Sequence, residues 1–352
     1  MAFGWAARDT SGLLSPFSFS RRVTGEKDVT FKVLYCGICH CDLHMIKNDW
    51  GYSIYTIVPG HEIVRAVIEV GSKVEKFKVR VRVHVGSIVE SCHSCDNCAS
   101  EIHIYCPKFI PTQGTQDYDG ATTHGSYSAI MVANEHFVIP IPDDLLVDAS
   151  APLLYAGIIV YSPLRYYGLD KLGMHVGVVG PSGLGHVAVK FANAMGVKVT
   201  VISNSLNKKK EAIDHLGVDS FFVSSNQDEI KAAMSKMDGI IDIVSIPYPI
   251  LPLIGLSRTN EKLLLVGCLE KPLELPVFTL LLGRDIIVVN CIYIMGGGTN
   301  RTQDMFHIKG QHNSNTLMNL LSKAHVRYCF VIDIGNHINL HHLINLLLII
   351  RI

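Results

Sequence analysis

The sequence predicts an α/β protein with two domains, a β-barrel-like domain followed by a doubly wound parallel sheet. Its 352 residues exceed the roughly 150 residues of a typical domain, so two sizeable cores are expected. Before about residue 150, strand-like runs such as Val29 to Tyr35 and Ile63 to Val70 are separated by Gly, Pro and Cys segments. From about Met174, short apolar runs alternate with helical patterns. This alternation is typical of parallel strands joined by right-handed crossovers.

The same alternation predicts the individual elements of the second domain. Strands are expected in the runs MHVGVVG, VKVTVIS, DSFFV, DGIIDIV and EKLLLVG, the last of which closes the series. Helices are expected near Leu184 to Met195 and from Asn207 to Leu216. After about Ile294 the signals are weak until a strand pattern at Val326 to Asp333, where the chain is expected to return to the first domain. The terminal NHINLHHLINLLLIIRI matches no pattern that places it.

Composition and charge exclude several classes of function. Hydrophobic residues make up 48% of the chain and charged residues 18%, which is too apolar for a disordered chain. The 31 basic residues balance the 31 acidic ones, so no general positive field indicates nucleic acid or an anionic membrane. The partner is therefore expected to be a small molecule.

The sequence gives no sign of export or membrane insertion. The opening residues, MAFGWAARDT, do not form a basic and then apolar leader, and no uncharged apolar run approaches the ~18 residues of a membrane span. A cytoplasmic protein is therefore expected. In the reducing cytosol, the 10 cysteines are better explained by metal binding or reactivity than by disulfides.

Four cysteines lie close together in the first domain. Cys92, Cys95, Cys98 and Cys106 form a C-x2-C-x2-C-x7-C pattern. Four thiolates suit tetrahedral zinc at ~2.3 Å, and a closed shell of four cysteines leaves no position for a substrate. A structural zinc is therefore predicted in the lobe at residues 92–106. Coincidental spacing in a loop and an iron–sulfur cluster are the two alternatives.

Two further motifs in the first domain, CHCDLH and GHE, carry groups able to bind a metal. A catalytic zinc needs about three protein ligands, an open position, and an outer carboxylate that orients its histidine. Cys39, His61 and Asp42 suit three of those roles, and Glu62 is a spare ligand. Taken singly, each residue is also consistent with an ordinary core or surface position.

A glycine-rich turn follows the first strand of the second domain. Its place between a strand and a helix is typical of a loop that binds pyrophosphate through backbone N–H groups and the positive helix end. Ser182 replaces the middle glycine of G-x-G-x-x-G, and its Cβ is expected to crowd the pyrophosphate and weaken the site. A plain tight turn is the alternative. The loop residues are Gly180, Pro181, Ser182, Gly183, Leu184 and Gly185.

The end of the next strand predicts the choice of cofactor. NAD enzymes place an acid there for the ribose 2′-OH, but this sequence has Ser203, Asn204 and Ser205, with three lysines from Lys208 onward. Hydroxyls and lysines without the acid suit a 2′-phosphate, which favours NADP over NAD. A solvated helix start is the simpler explanation of the lysines.

Motifs along most of the chain resemble those of one enzyme family. They are FGWAARDTSGLLSPF, GICHCDLH, VPGHE, the cysteine quartet, YDGATTHGSYS, APLLYAGIIVYSPL, GVVGPSGLGHVAVKFA, MDGIIDIVS, KPLELPVF and VRYCFVID. Together, from about Phe3 to Asp333, they resemble the plant cinnamyl alcohol dehydrogenase family. Its members are zinc-dependent medium-chain alcohol dehydrogenases and include mannitol dehydrogenase-like proteins.

The resemblance implies a fold, an activity and a set of partners. It implies a GroES-like β-barrel catalytic domain at 1–155, a Rossmann NADP-binding domain at 156–293, and a return to the catalytic domain at 294–352, with a shortened and atypical C-terminus. Family members reversibly reduce hydroxycinnamaldehydes or related aldehydes with NADPH, as cytosolic homodimers. We therefore expect zinc and NADP as cofactors, an aldehyde or alcohol as substrate, a homodimer, and no nucleic-acid or membrane partner.

The resemblance also implies roles for single residues. Cys39 and His61 match ligands of the catalytic zinc, and Glu62 matches the neighbouring carboxylate. The cysteine quartet matches the structural zinc site, and His44 matches the relay histidine. The positions that match contacts to the 2′-phosphate are Ser203, Ser205 and Lys208.

Two departures from the family pattern affect the catalytic site. The third zinc ligand is a Cys in the family's APLLCAG, and here it is Tyr155, whose phenol is too long and too weak an acid to replace a thiolate directly. The relay hydroxyl of C-H-S/T-D is Cys41, and a thiol is a weak hydrogen-bond partner. We expect a catalytic zinc that Glu62 completes, or else a weak or missing one.

Other departures affect the framework. Arg80 replaces the glycine of the family's G-D-R-V, and Arg65 replaces a glycine after GHEIV, so a turn and its carboxylate are expected to be lost. The segment from His312 to Asn315 runs early into TLMNLLSKAHVRY, so a strand near the dimer edge is expected to be missing.

Three functional hypotheses follow. The leading one is an NADP-dependent alcohol dehydrogenase in which zinc is the Lewis acid and Cys41, His44 and the cofactor ribose pass the proton. The second is a zinc-independent NADPH reductase of an activated double bond or iminium, which Tyr155 and Cys41 motivate. The third is a catalytically impaired fold that keeps its structural zinc, which Ser182, Arg80 and the short C-terminal region motivate.

Overall fold

The structure is a computed structural model that describes residues 1–143, 145–267, 273–275, 278, 285–288, 302–305 and 329–334. The chain divides into two compact units, with the boundary between Tyr155 and Ala156, and the strand near the C-terminus belongs to the first unit. The predictions for residues 312–328 and for the terminal residues lie outside the described residues, whereas the predicted strand at Val326 to Asp333 is found over its described part, Phe330–Asp333. Within the described ranges, no helix combines the length and the apolar character that crossing a membrane requires.

The first unit is rich in short strands and has few helices. Its strands up to residue 155 are β1 (Ala2–Ala7), β2 (Leu14–Phe19), β3 (Asp28–Ile38), β4 (Glu62–Val70), β5 (Arg82–Val85), β6 (Ile88–Glu90), β7 (Ile110–Pro111), β8 (Ile130–Asn134) and β9 (Val138–Pro140). Its helices are α1 (His40–Lys47), α2 (Asp96–Ala99) and α3 (Val147–Ser150), and its 3-10 turns are His103–Tyr105, Glu135–Phe137 and Ala151–Leu154.

The second unit alternates helices and strands. Its helices are α4 (Ala156–Tyr166), α5 (Gly183–Ala194), α6 (Lys209–Asp214), α7 (Gln227–Ala233) and α8 (Leu251–Leu256), and a 3-10 turn at Leu206–Lys208 leads into α6. Its strands are β10 (His175–Val179), β11 (Lys198–Ser203), β12 (Ser220–Val223), β13 (Met237–Asp242), β14 (Ser257–Leu265) and β15 (Asp285–Val288). A last strand, β16 (Phe330–Asp333), returns to the first unit.

An antiparallel sheet forms the centre of the first unit. Its strand order is β16-β3-β4-β5-β9, and β8 pairs with the other end of β3. The two strands predicted from Val29 to Tyr35 and from Ile63 to Val70 are confirmed as parts of β3 and β4. The inward side chains Val29, Phe31 and Val33 are fully buried, because alternate residues of a strand point to the same face. This core fixes the turns that carry the candidate site.

A parallel sheet forms the second unit, in the order β12-β11-β10-β13-β14-β15. This is the order of a doubly wound dinucleotide-binding sheet, in which ligands bind beyond the carboxyl ends of the strands where the order reverses. Here the order reverses between β10 and β13, and the glycine loop follows β10. The predicted strands and the two predicted helices are confirmed, with ends shifted by one to a few residues.

Two predictions about the framework are wrong. The run EKLLLVG does not close the parallel series, because β15 pairs beyond β14 with Lys262 opposite Asp285. The turn at Arg80 is not lost either: Arg80 keeps a left-handed conformation (φ 76°), and its N–H donates to the Val67 carbonyl at 2.8 Å. The turn therefore persists with a side chain where a glycine would be relaxed.

Candidate active site and metal centres

The turn after β3 and the start of β4 bring Cys39, His61 and Glu62 together. Cys39 is the N-cap residue of α1, and Glu62 pairs with Gly37 in the sheet. One ligand atom from each of the three lies within 4.8 Å of the others. A Cβ at Gly37 would collide with the Glu62 carboxylate, so glycine at this position makes room for that side chain.

His61 offers a free ligand atom to this group. Its Nδ1 atom lies 2.9 Å from Asp42 Oδ1, and its buried Nε2 atom has no hydrogen-bond partner among the described residues. A metal-binding histidine is held in this way, with one ring nitrogen on a carboxylate and the other on the metal. The donor set of one thiolate, one imidazole and one carboxylate suits zinc, so the residues present fit a catalytic zinc.

Asp42 is fully buried and held by several donors. Besides His61, it accepts hydrogen bonds from the Gly60 N–H at 3.0 Å and from Gln113 Nε2 at 3.1 Å, and Tyr127 Oη lies 3.3 Å away. Burial opposes ionisation of this carboxyl, but the charge and the hydrogen bond of His61 hold the pKa of Asp42 below its usual value. The structure thus places Asp42 where an orienting carboxylate is predicted.

Tyr155 contacts two of the predicted site residues, Cys41 and His61. Its hydroxyl lies 2.8 Å from the Cys41 sulfur, and its ring packs edge-on against the His61 ring at 4.6 Å between centroids. The hydrogen bond of Cys39 and, to a lesser extent, that of Tyr155 lower the pKa of the Cys41 thiol against the effect of burial. Tyr155 therefore contacts the predicted proton relay.

His44, the predicted relay histidine, lies on α1 one turn after Cys41. Its Nδ1 atom lies 2.9 Å from Asp49 Oδ2, and its ring packs near those of His40 and Trp50 at 4.6 and 5.0 Å. The side chain is buried. Asp49 thus orients the ring and leaves the Nε2 atom as the one available to carry a proton.

The cysteine quartet is drawn together by α2 and the following 3-10 turn. Its four sulfurs lie within 4.8 Å of one another, with 3.9 Å from Cys92 to Cys98 and 3.5 Å from Cys95 to Cys98. Tetrahedral zinc with bonds of ~2.3 Å places its sulfur ligands about 3.8 Å apart. Hydrogen bonds led by those from Ser94 lower the pKa of Cys92 to about 5, whereas burial raises the pKa of Cys106 to about 11, so Cys92 is the first of these two thiols to lose its proton. The residues present fit a structural zinc.

The glycine loop has the geometry of a phosphate cradle. Gly180 is left-handed (φ 83°), and a Cβ at Gly185 would collide with the Gly180 carbonyl, so both positions require glycine. Gly183 and Leu184 begin α5, and the N-terminal end of a helix favours an anion. Ser182 is exposed with φ −102°, a conformation that any residue adopts. The loop therefore fits a pyrophosphate.

Hydroxyl groups and a lysine gather at the carboxyl end of β11. The Ser205 N–H donates to Ser203 Oγ at 3.2 Å, which folds the chain back over the strand end. Ser203 is buried, Ser205 and Lys208 are half-buried, and Asn204 is exposed. The residues present fit a 2′-phosphate, since they combine hydroxyl donors with a cation and include no carboxylate.

Three supporting residues could not be found from the sequence. Asp49 contacts His44, and Gln113 and Tyr127 contact Asp42. Each of the three thus supports a predicted site residue. Gln113 and Tyr127 lie 71 and 85 residues from Asp42 in the chain, so no local spacing signals the contact. Asp49 follows the end of α1, where acidic residues are common on exposed turns.

Two family models match the two parts of the chain. The alcohol dehydrogenase GroES-like domain matches residues 25–143, and the zinc-binding dehydrogenase family matches residues 183–307. A protein named probable mannitol dehydrogenase from Fragaria ananassa is 62% identical over 347 residues, 95% of this chain and 96% of that protein. Cinnamyl alcohol dehydrogenase 2 from Rauvolfia serpentina is 58% identical over 347 residues, which cover 95% of this chain and 95% of that protein.

Solved structures show the same relationship. A cinnamyl alcohol dehydrogenase from Sorghum bicolor has a TM-score of 0.86 and 45% identity, covering 95% of this chain and 98% of its own. The CAD from Helicobacter pylori, complexed with NADP(H), has a TM-score of 0.82 and 32% identity over 95% of this chain and 98% of its own. The chain therefore belongs to the zinc-dependent medium-chain alcohol dehydrogenases and, within them, to the plant cinnamyl alcohol dehydrogenase family. It is an alcohol dehydrogenase, and the predicted combination of a GroES-like barrel and a Rossmann domain is confirmed.

Proposed function

We propose that this chain is an NADP-dependent zinc alcohol dehydrogenase that reversibly reduces hydroxycinnamaldehyde-type or related aldehydes to alcohols. The observation that carries the proposal is the group of Cys39, His61 and Glu62, with the His61 Nε2 atom buried and directed away from Asp42. The named activities of its relatives support an alcohol or aldehyde as the substrate.

Each residue of this group has a defined task. When bound, zinc supplies a Lewis acid for a carbonyl group, and NADPH supplies a hydride. Cys39, His61 and Glu62 hold the metal, and Asp42 fixes the ring of His61. Cys41 and His44 would move the proton that the alcohol oxygen gains, in a relay that the ribose of bound cofactor would extend.

The cofactor is NADP. The backbone of the loop at residues 180–185 takes the pyrophosphate, and Ser203, Asn204, Ser205 and Lys208 contact the 2′-phosphate. The NADP(H)-complexed relative from Helicobacter pylori supports this choice, as does the lack of an acidic residue at the end of β11.

The remaining proposals rest on the family. Residues 1–155 form the catalytic domain with the structural zinc held by the cysteine quartet, residues 156–293 form the NADP domain, and residues 294–352 return to the catalytic domain. The enzyme works in the cytoplasm as a homodimer on a small-molecule substrate.

A second candidate function is the reduction of an activated double bond or iminium without catalytic zinc. The contact of Tyr155 with Cys41 favours it, because a phenol and a thiol together offer a proton donor that does not depend on a metal. Such a reaction would need NADPH and the relay but not the thiolate of Cys39.

The two candidates are separated by one comparison. The zinc-loaded protein is assayed for oxidation of NADPH with 4-hydroxycinnamaldehyde, alongside Cys39→Ser and the matched variant Cys329→Ser, whose cysteine lies outside both metal-binding groups. We expect turnover that falls at least about 100-fold in Cys39→Ser only. Undiminished turnover in Cys39→Ser would favour the second candidate, and no turnover in any variant would favour a catalytically impaired protein.

A further inference from the structure

A third group of metal-binding side chains lies apart from the two already described. Glu101 follows α2, His103 begins the next 3-10 turn, and His136 lies in the 3-10 turn between β8 and β9. Residues more than thirty positions apart thus meet at one point. The group joins the cysteine-rich lobe to the edge of the antiparallel sheet, and the proposed reaction uses none of its members.

The three ligand atoms form a compact triangle. His103 Nε2 and His136 Nε2 lie 2.7 Å apart, and Glu101 Oε2 lies 3.6 Å from each of them. A triangle with these sides has a centre about 2 Å from every corner, which is the length of zinc bonds to imidazole nitrogen and carboxylate oxygen. An ion at the centre therefore reaches all three atoms with little movement of the side chains.

The surroundings hold His103 in the orientation that a metal requires. Its Nδ1 atom lies 3.0 Å from Ser91 Oγ, so the Nε2 atom faces the group, and only 4% of its side chain is exposed. Hydrogen bonding at one ring nitrogen is the usual support of a metal-binding histidine. His136 is 23% exposed and Glu101 48% exposed, so solvent reaches the group from their side.

Hydrogen bonding alone leaves this arrangement incomplete. One proton shared between the two Nε2 atoms joins the imidazoles, but Glu101 at 3.6 Å is beyond hydrogen-bond distance of either ring. A divalent cation satisfies both lone pairs and the carboxylate at once. Two imidazoles with one carboxylate form a set that zinc and similar metals bind, with a fourth position left for water.

We propose that Glu101, His103 and His136 bind a third metal ion, a divalent transition metal of the zinc class. The ion ties the segment around His103 to the turn around His136 and so fastens the cysteine-rich lobe to the sheet. The proposal is independent of the catalytic zinc and of the cofactor.

The test is a titration with Co²⁺ of the full-length protein, which is first loaded with zinc and then dialysed against a weak chelator that removes zinc from nitrogen and oxygen ligands but not from the thiolate sites. Cobalt bound by nitrogen and oxygen ligands gives visible ligand-field absorption without the near-ultraviolet charge-transfer band of a thiolate, so the third site is distinguished from both cysteine-containing sites. Glu101→Gln and His136→Asn each remove one ligand, and His215→Asn, an exposed histidine of the second unit, is the matched control.

We expect the wild type and His215→Asn each to bind one equivalent of Co²⁺ that shows no thiolate absorption. Glu101→Gln and His136→Asn should not bind this equivalent. The melting temperature should rise with Co²⁺ in the first two proteins only. Glu101 is half-exposed, so Glu101→Gln tests the ligand without threatening the fold. Equal uptake by all four proteins, or uptake that always carries the thiolate band, would overturn the proposal.

Discussion

The Tyr155 hydroxyl lies 2.8 Å from the Cys41 sulfur, and the Tyr155 ring packs edge-on against the His61 ring. The residue at the position of the family's third zinc ligand therefore contacts Cys41, a member of the proposed proton relay. The candidate ligands that remain for the proposed zinc are Cys39, His61 and Glu62, and Glu62 begins the strand that follows directly on His61.

Tyr155→Cys should raise the occupancy of the catalytic zinc and the aldehyde reductase activity. A thiolate at this position restores the ligand set of the family, whereas Tyr155 contributes a hydrogen bond to Cys41. We expect kcat/KM for 4-hydroxycinnamaldehyde to rise by about tenfold or more. Tyr155→Phe is the control, since it removes the same hydroxyl without adding a ligand. A similar rise in Tyr155→Phe would show that relief of the Cys41 contact, and not the new ligand, is responsible.

Lys208→Ala should weaken the binding of NADPH and leave that of NADH nearly unchanged. A charge-assisted contact to the 2′-phosphate contributes about 1.5–3 kcal/mol, so the dissociation constant for NADPH should rise about 10-fold to 100-fold. Lys210→Ala is the matched control, because Lys210 is exposed and lies on α6 in the same lysine run. Calorimetric titration with both cofactors decides the point: equal losses for NADPH and NADH would place Lys208 away from the 2′-phosphate.

Arg65→Met should stabilise the protein. Arg65 is fully buried in β4, with its guanidinium 4.4 Å above the Phe31 ring and one contact of 2.8 Å to Met131 Sδ. Its Nε and Nη1 atoms lack a hydrogen-bond partner among the described residues, and no carboxylate in that part of the chain forms an ion pair with it. Methionine retains most of the volume and removes the buried charge, so the free energy of unfolding should rise by about 1–4 kcal/mol.

Urea denaturation measures this gain. Arg82→Met is the comparison, because Arg82 lies on the neighbouring strand β5 and is 37% exposed. Its replacement should change the free energy of unfolding by no more than about 0.5 kcal/mol. Destabilisation by Arg65→Met would mean that the contacts of the guanidinium with Phe31 and Met131 outweigh the cost of burying its charge.

The buried His84 side chain predicts how stability depends on pH. Burial, and then the charge of Arg65, lower the pKa of His84 to about 3, whereas an unfolded histidine titrates near 6.5. Between these values the unfolded chain binds a proton that the folded chain does not, so stability falls as the pH is lowered from 6.5 toward 3. At pH 5, protonation of His84 in the unfolded chain should lower the free energy of unfolding by about 2 kcal/mol.

Thermal or urea unfolding from pH 7 to pH 5 checks this dependence. His84→Gln should lose less stability than the wild type over that interval, and His215→Gln, which alters an exposed histidine, should follow the wild type. Parallel curves for all three proteins would contradict the pKa of His84.

Much of the fold follows from local patterns in the sequence. The strand, glycine loop and helix around Gly180 are contiguous, and the four cysteines lie within one lobe, so spacing alone predicts each of them. The strand β15 was not predicted because KPLELPVFTLLLG, which precedes it, has two prolines and no helical repeat. The alternation that reveals the other strands stops there.

The contacts within the site could not be predicted from the sequence. The hydrogen bond between Tyr155 and Cys41 joins residues 114 positions apart. Gln113 and Tyr127 likewise reach Asp42 from distant parts of the chain. The predicted loss of the turn at Arg80 was wrong for a related reason. Backbone hydrogen bonds around Arg80 maintain the turn although the glycine is replaced. Residue types indicated the chemistry, while tertiary packing decides which groups touch.

The most direct test of the account is the zinc content per chain of the wild type, Cys39→Ser and Cys329→Ser, measured by elemental analysis. The account predicts that Cys39→Ser contains one zinc ion fewer per chain than the other two proteins, because Cys39, His61 and Glu62 hold a metal although Tyr155 replaces the third ligand of the family. Equal zinc content in all three proteins would contradict it and mean that Cys39 holds no metal.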